Sequence, residues 1–190
     1  TYRVAALCER IAKAAGMCAY DVELAWLSGM LHDVGRFEQI KRYNTFSDAD
    51  SVDHAKFGAD LLFKDGLIST FLNGMVKCTG YKPGALEDRY SSDGVFLYDR
   101  LNKSDMEMLE LAIRCHNMYR IPQGLNRREQ AFCNVLRDAD KVDIFKVNID
   151  TPLEEIYNTT TEELMKSDIT DEVLEAFDEE HCILLSLIHI

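Results

Sequence analysis

The sequence predicts an all-α protein, a compact single-domain helical bundle, on three observations. Apolar residues recur at helical spacing along most of the chain. No stretch alternates with strand periodicity over more than a few residues. Structure-breaking residues are scarce, with 3 prolines and 10 glycines among 190 residues. That length is enough to bury a substantial core, and 47% of the residues are apolar. The formal charge of -12 argues against a sequence-independent grip on nucleic acid, which needs a basic face. A small anionic substrate is compatible with it, because a local cluster of arginine and lysine outweighs the distant average.

Residues 1–16 read as a first helix, with Val4, Leu7, Ile11 and Ala14 at helical spacing and Gly16 ending it. The chain opens at Thr1 without an initiator methionine and reads as beginning inside this helix. Asp21 reads as the N-cap of a second helix, which from Leu24 to Leu31 is almost wholly apolar. A helix that is apolar all round is a buried one. Its last turn therefore delivers His32 and Asp33 into the interior. Gly35 reads as the residue just past the helix end, freeing Arg36 to lie beside the same spot. Residues 36–51 read as a polar connection dotted with aromatics.

A third helix is expected from about Val52 to Lys64 and a fourth from about Thr70 to Cys78. Pro83, Gly84, Gly94 and many charges make 80–103 a loop, and connections of this length are often lids or binding loops. Ser104–Glu107 reads as a capping box opening a helix that runs to about Tyr119. Asn126 caps the next, whose face carries Phe132, Val135, Leu136 and Ala139. Thr160–Glu163 is another capping box, and Thr170 to about Leu185 reads as a last amphipathic helix. Residues 1–150 are expected to form the core domain, and 151–190 a C-terminal helical extension packed on it. The uncharged tail Cys182–Ile190 reads as truncated or artefactual.

Six cysteines are scattered at 8, 18, 78, 115, 133 and 182 with no CxxC pair. Dispersed cysteines in a chain with a good core read as reduced thiols. No signal peptide and no apolar run of membrane-spanning length stands out. The sequence therefore predicts a cytoplasmic protein without a membrane partner. It leaves the oligomeric state open.

Helical spacing sorts the polar residues that point inward. His116 continues the apolar face of Leu109, Ala112 and Ile113. Asp140 lies in one row with Phe132 and Leu136, whereas Asp138 falls on a more polar side; Asp143 lies three residues further on. His54 shares a face with Gly58, Leu61 and Leu62. The result is His32, Asp33, His54, His116 and Asp140 on four helices, all facing one interior. Imidazole and carboxylate together suit a divalent transition metal (manganese, iron, cobalt, nickel or zinc), and helical bundles build metal sites from inward side chains in this way.

Taken alone, His54 or His116 is ordinarily a hydrogen-bonded core residue. An adjacent His-Asp pair at the end of an apolar helix is different, because two buried ionisable groups need a reason. Arg36 reads equally as a helix-terminus cation or a phosphate clamp, and Lys141 as a substrate contact or a surface charge. Cys115 and His116 point about 100° apart on a helix, which argues against a thiol–imidazole nucleophile. No GxSxG, P-loop or GxGxxG segment is present.

With these residues in place, the sequence resembles the HD-domain superfamily of metal-dependent phosphohydrolases. The matching stretches are Leu31-His32-Asp33-Val34-Gly35-Arg36, Ser51-Val-Asp-His54, Ile113-Arg-Cys-His116-Asn117 and Arg137-Asp-Ala-Asp140-Lys141-Val142-Asp143. The resemblance covers roughly residues 1 to 150. It implies that His32, Asp33 and Asp140 are core metal ligands, with His54 and His116 serving a second metal or the phosphate. It implies one or two ions of a divalent transition metal or magnesium. Asp33, Arg36 and Lys141 are the catalytic candidates, and Arg36, Asn117 and Lys141 the substrate-binding ones. The family's first histidine has no counterpart here and is expected immediately before Thr1. There is no Gly-Tyr-Pro segment, as the cyclic-dinucleotide phosphodiesterases of the family would need, and Arg36-Phe37 stands where the alarmone hydrolases carry Glu-Asp. The expected activity is hydrolysis of a small phosphate ester or nucleotide by a metal-activated water. Two alternatives are a degenerate nucleotide-binding sensor without turnover and a di-iron oxygenase.

Overall fold

In the computed structural model the described residues are 1–77 and 101–179, apart from 153, 155, 157–159, 167 and 168. The helices run in the order α1 (Tyr2–Ala14), α2 (Ala19–Leu31), α3 (Val34–Tyr43), α4 (His54–Ala59) and α5 (Leu67–Lys77). They continue with α6 (Lys103–Cys115), α7 (Arg127–Asp150), α8 (Thr161–Leu164) and α9 (Asp171–Asp178). Helix α4 runs on into a π-helical stretch, Asp60–Lys64. Among the described residues there is no strand, and the all-α class holds. The chain divides into two units, Thr1–Ile144 and Phe145–Ile190. The first contains the core and every residue of the candidate site.

Helix α2 is the central element of that unit. Leu24, Ala25, Leu27, Ser28, Gly29 and Leu31 are all buried, so its uniform apolarity is spent on packing against neighbours on several sides. Against α1 the two backbones touch. A Cβ on Gly29 would lie 2.7 Å from the Cα of Ala5 and 2.9 Å from the Sγ of Cys8. Leu109, Ala112 and Ile113 of α6 and Phe132, Val135, Leu136 and Ala139 of α7 close the core. Arg3 donates to both carboxylate oxygens of Asp143, at 2.8 and 3.1 Å, tying the start of α1 to α7.

The second close approach sets the position of the site. A Cβ on Gly35 would lie 2.3 Å from the carbonyl oxygen of His54 and 2.8 Å from the nitrogen of Gly58. Helices α3 and α4 thus cross backbone to backbone, and the crossing places His54 beside the His32–Asp33 corner. Gly35 is therefore not the residue past a helix end that the sequence suggests. It lies buried in the first turn of α3, and the reason for a glycine there is contact, not backbone conformation.

Several sequence expectations need correction. The supposed connection over 36–51 contains α3. Its buried positions are Gly35 and Gln39, and its apolar Phe37 and Tyr43 are exposed, so no inward apolar stripe betrays it. Asp21 does not cap α2: Cys18 holds that position without a side-chain bond, and Asp21 instead accepts from Arg128 at 2.6 Å. Helix α6 opens two residues earlier than the Ser104 box, at Asn102, with Asp105 as its reciprocal partner, and it ends at Cys115. That register prevails because Asp105 is fully buried and also accepts from Tyr20 at 2.6 Å and Arg128 at 2.7 Å. Asn126 caps α7 and the capping box at Thr160 forms, both as expected. The expected loop at 80–103, apart from residues 101–103, and the 182–190 tail lie outside the described residues.

Two outcomes follow. Gly35→Ala should cost about 1–3 kcal/mol, the usual penalty for overpacking, in denaturant unfolding; an unchanged midpoint would contradict the close crossing. Asp105 has its pKa held below the ordinary carboxylate value: burial opposes this, but bonds from Tyr20 and Arg128 outweigh it. A depressed folded-state pKa stabilises above the unfolded value, about 3.9, and that stabilisation is lost as pH falls through the folded one. Acid unfolding should therefore be shallower for Asp105→Asn than for the wild type.

Candidate metal centre

The corner between α2 and α3 is two residues long. His32 ends α2 with right-handed helical backbone, and Asp33 holds the N-cap position of α3 without a side-chain capping bond. His32 is completely buried, His116 is 2% exposed and His54 is 5% exposed, so the three imidazoles form the floor of the site. The carboxylates of Asp33 and Asp140, about a third and a fifth exposed, face its opening.

Each imidazole is anchored through Nδ1. His32 donates to the Gly29 carbonyl at 2.8 Å, His116 to the Ile113 carbonyl at 2.7 Å, and His54 to the Asp48 carboxylate at 2.6 Å. These acceptors carry no proton at neutral pH, so Nδ1 holds a proton on all three rings and Nε2 is left as the atom that takes up a further proton or a metal. The three Nε2 atoms converge. That of His32 lies 3.3 Å from Asp33 and 3.6 Å from Asp140. Those of His54 and His116 lie 3.5 and 3.9 Å from Oδ1 of Asp33, and 3.0 Å from each other.

This arrangement is unsatisfied without a cation. With the Nδ1–H groups of both rings committed, Nε2 meets Nε2 at 3.0 Å across the His54–His116 contact, and without a cation between or on them neither has a proton to donate. The Nε2 of His32 is buried with no hydrogen-bond partner, which in a native interior calls for an explanation such as an ion. A proton or a metal supplies the missing positive charge, and the donor set of imidazole nitrogen and carboxylate oxygen is that of a divalent transition metal. His32, Asp33 and His116 offer atoms all within 4.8 Å of one another, with Asp140 and His54 alongside. The residues present fit a metal.

The electrostatics of the metal-free cluster agree. Burial alone would lower the pKa of His32, but Asp140 and Asp33 outweigh it and raise it to about 9. Burial and the neighbouring His32 push His116 down to about 4. Burial works against the charge on Asp33, yet His32, with His116 and His54 behind it, holds its pKa at about 2. Asp140 is likewise driven below the carboxylate range, against burial, by His32 and Lys141. One protonated ring between two ionised carboxylates is the charge pattern that a metal replaces.

The other candidates lie at the rim. Arg36 keeps its guanidinium beside Asp33, with Nε 3.8 Å from Oδ1. Its Nη1 is committed to Gln39 at 2.8 Å, the Phe46 carbonyl at 2.6 Å and Asp48 at 2.9 Å. Lys141 is more than half exposed and reaches Asp140 at 2.9 Å. Asn117 donates to Asp48 at 3.3 Å and Asp53 at 3.0 Å. Asp143 pairs with Arg3. Burial raises the thiol pKa of Cys115, which leaves it protonated and a poor nucleophile.

Sequence reasoning missed Asp48 and Gln39. Neither sits in a periodic segment, and the only signal was a run of acids, Asp48, Asp50 and Asp53, just before His54.

Adding a divalent transition metal at about 100 times its dissociation constant should stabilise the folded protein by about 2.7 kcal/mol. His32→Gln should lose most of that gain in thermal unfolding. Equal stabilisation of both proteins would place the ion elsewhere.

A family model for the HD domain matches residues 1–183. Searches of curated proteins and of solved structures found no match. The family match spans almost the whole chain, including the His32–Asp33 corner and the helix that carries Asp140. The chain belongs to the HD-domain family.

Proposed function

We propose that the protein is a metal-dependent phosphohydrolase acting on a small phosphate ester or nucleotide. The observation that carries the reading is the orphaned Nε2 of His32, aimed between Asp33 and Asp140. His32, Asp33 and Asp140 would hold the catalytic ion, with His54 and His116 for a second ion or the phosphate. Manganese, iron, cobalt, nickel, zinc and magnesium are the candidates. Such an ion lowers the pKa of water towards ~7 and polarises a phosphoryl oxygen.

The chain's own residues supply the rest. Asp33 is held ionised, and its partly exposed carboxylate can accept a hydrogen bond from the attacking water and orient it. A carboxylate this acidic orients a water better than it keeps a proton. Arg36 adds a fixed positive charge beside Asp33, and Lys141 a mobile one beside Asp140. Both favour the charge that builds on phosphoryl oxygens in the transition state. Asn117, which follows His116 in the chain and bonds to Asp48 and Asp53, is the further residue proposed to meet the substrate. The net charge of -12 speaks against a nucleic-acid polymer as substrate. The setting we propose is the cytoplasm. Burial raises the thiol pKa of Cys8 to about 12 and that of Cys133 to about 11, which suits unreactive reduced cysteines. Among the described residues no helix is long and apolar enough to cross a membrane.

A screen of phosphomonoesters and nucleotides with each divalent metal tests the reading. Asp33→Ala should lower turnover by ~10²–10⁴-fold while far-ultraviolet circular dichroism stays helical. Undiminished activity in the variant would overturn it.

A further inference from the structure

We infer that Asp48 is a positioning residue that dictates which nitrogen of His54 faces the metal centre. The inference rests on the metal-dependent reading of the cluster. Asp48 lies in the segment between α3 and α4, and all four of its side-chain partners are donors. Its Oδ1 accepts from Arg36 Nη1 at 2.9 Å and Gln39 Nε2 at 3.0 Å. Its Oδ2 accepts from His54 Nδ1 at 2.6 Å and Asn117 Nδ2 at 3.3 Å.

Both sides of the carboxylate must therefore be acceptors. A guanidinium cannot give up its protons, so the Arg36 side demands an oxygen. The amide of Asn117 also donates to Asp53, another acceptor-only group, which fixes its orientation. Gln39 is fully buried; it donates also to Ser51 and the Val52 carbonyl and accepts from Arg36. Asp48 is thus held from three directions, and the one variable partner is the imidazole. With a carboxylate oxygen 2.6 Å from Nδ1, His54 must carry its proton there. Its Nε2 is then the lone-pair atom aimed at Asp33 and His116. A carboxylate behind a ligating histidine fixes ring orientation and strengthens the donor.

The isosteric Asp48→Asn is a sharp test, because an asparagine has only one acceptor side. Arg36 and Gln39 claim its oxygen, which turns the amide N–H₂ towards His54 and removes the 3.3 Å bond from Asn117, leaving Asn117 its bond to Asp53. The ring must then accept at Nδ1 and carry its proton on Nε2, where it cannot bind a metal. Nitrogen-15 imidazole spectra of the metal-free protein read this directly, with the His54 signals assigned by their loss in His54→Gln. The wild type should show a protonated Nδ1 on His54, and Asp48→Asn a protonated Nε2. Affinity for Co²⁺, followed by its visible absorption, should fall about 10- to 100-fold in the variant. A His54 that keeps its Nδ1 proton in Asp48→Asn, with unchanged Co²⁺ affinity, would overturn the inference. So would a wild-type spectrum with the proton only on Nε2, which decides the matter even if the variant fails to fold. If the wild type binds no Co²⁺, the metal reading falls, while the tautomer spectra still decide what Asp48 does.

Discussion

Helices α3 and α4 cross where neither has a side chain, at Gly35 and Gly58, and the placement of the histidines depends on that contact. A Cβ on Gly58 would lie 2.9 Å from the nitrogen of Gly35, so even alanine does not fit without a backbone shift. The crossing sets the Cα of His54 a short distance from the two-residue corner that holds His32 and Asp33. A wider crossing would withdraw the His54 ring from Asp33 and break its 3.0 Å approach to His116. Core packing and site geometry are here one constraint.

Around that crossing the polar groups form two layers. The inner layer is three Nε2 atoms and the carboxylates of Asp33 and Asp140, and within it the Nε2 of His32 has no hydrogen-bond partner. The outer layer is fully met: the Gly29 and Ile113 carbonyls, and Asp48 with Arg36, Gln39 and Asn117 behind it. Buried polar networks are costly when half satisfied. A chain that satisfies every second-layer group and leaves His32 Nε2 bare concentrates the deficit at one point. That is the electrostatic form of a cation site. The separate network of Asp105, Tyr20 and Arg128 leaves Asp105 with a partner on each oxygen and so reads as structural.

The legible part of this design was local. An apolar helix ending in His-Asp marks a buried ionisable corner, and helical rows brought His54, His116 and Asp140 towards the same interior, where the structure finds them. The illegible part was non-local. Helix α3 escaped notice because its inward face is a glycine and a glutamine, not a stripe of apolar residues. Gly35 read as a helix stop because its true neighbour, the backbone at His54, is 19 positions away. The bonds of Arg36 to Phe46 and Asp48 on the α3–α4 segment could not be seen either. The capping register of α6 was decided by Tyr20 and Arg128, residues far from Asn102 in sequence.

The most direct test of the account is elemental analysis of the purified protein after exhaustive dialysis, wild type beside His32→Gln. The convergence of the Nε2 atoms on ionised carboxylates predicts roughly one or two equivalents of a divalent metal in the wild type and a clear loss in the variant. A wild type that retains no metal, and takes none up when it is supplied, would contradict the account: the cluster would then be a proton-linked core network, and the HD pair would carry structure without hydrolysis.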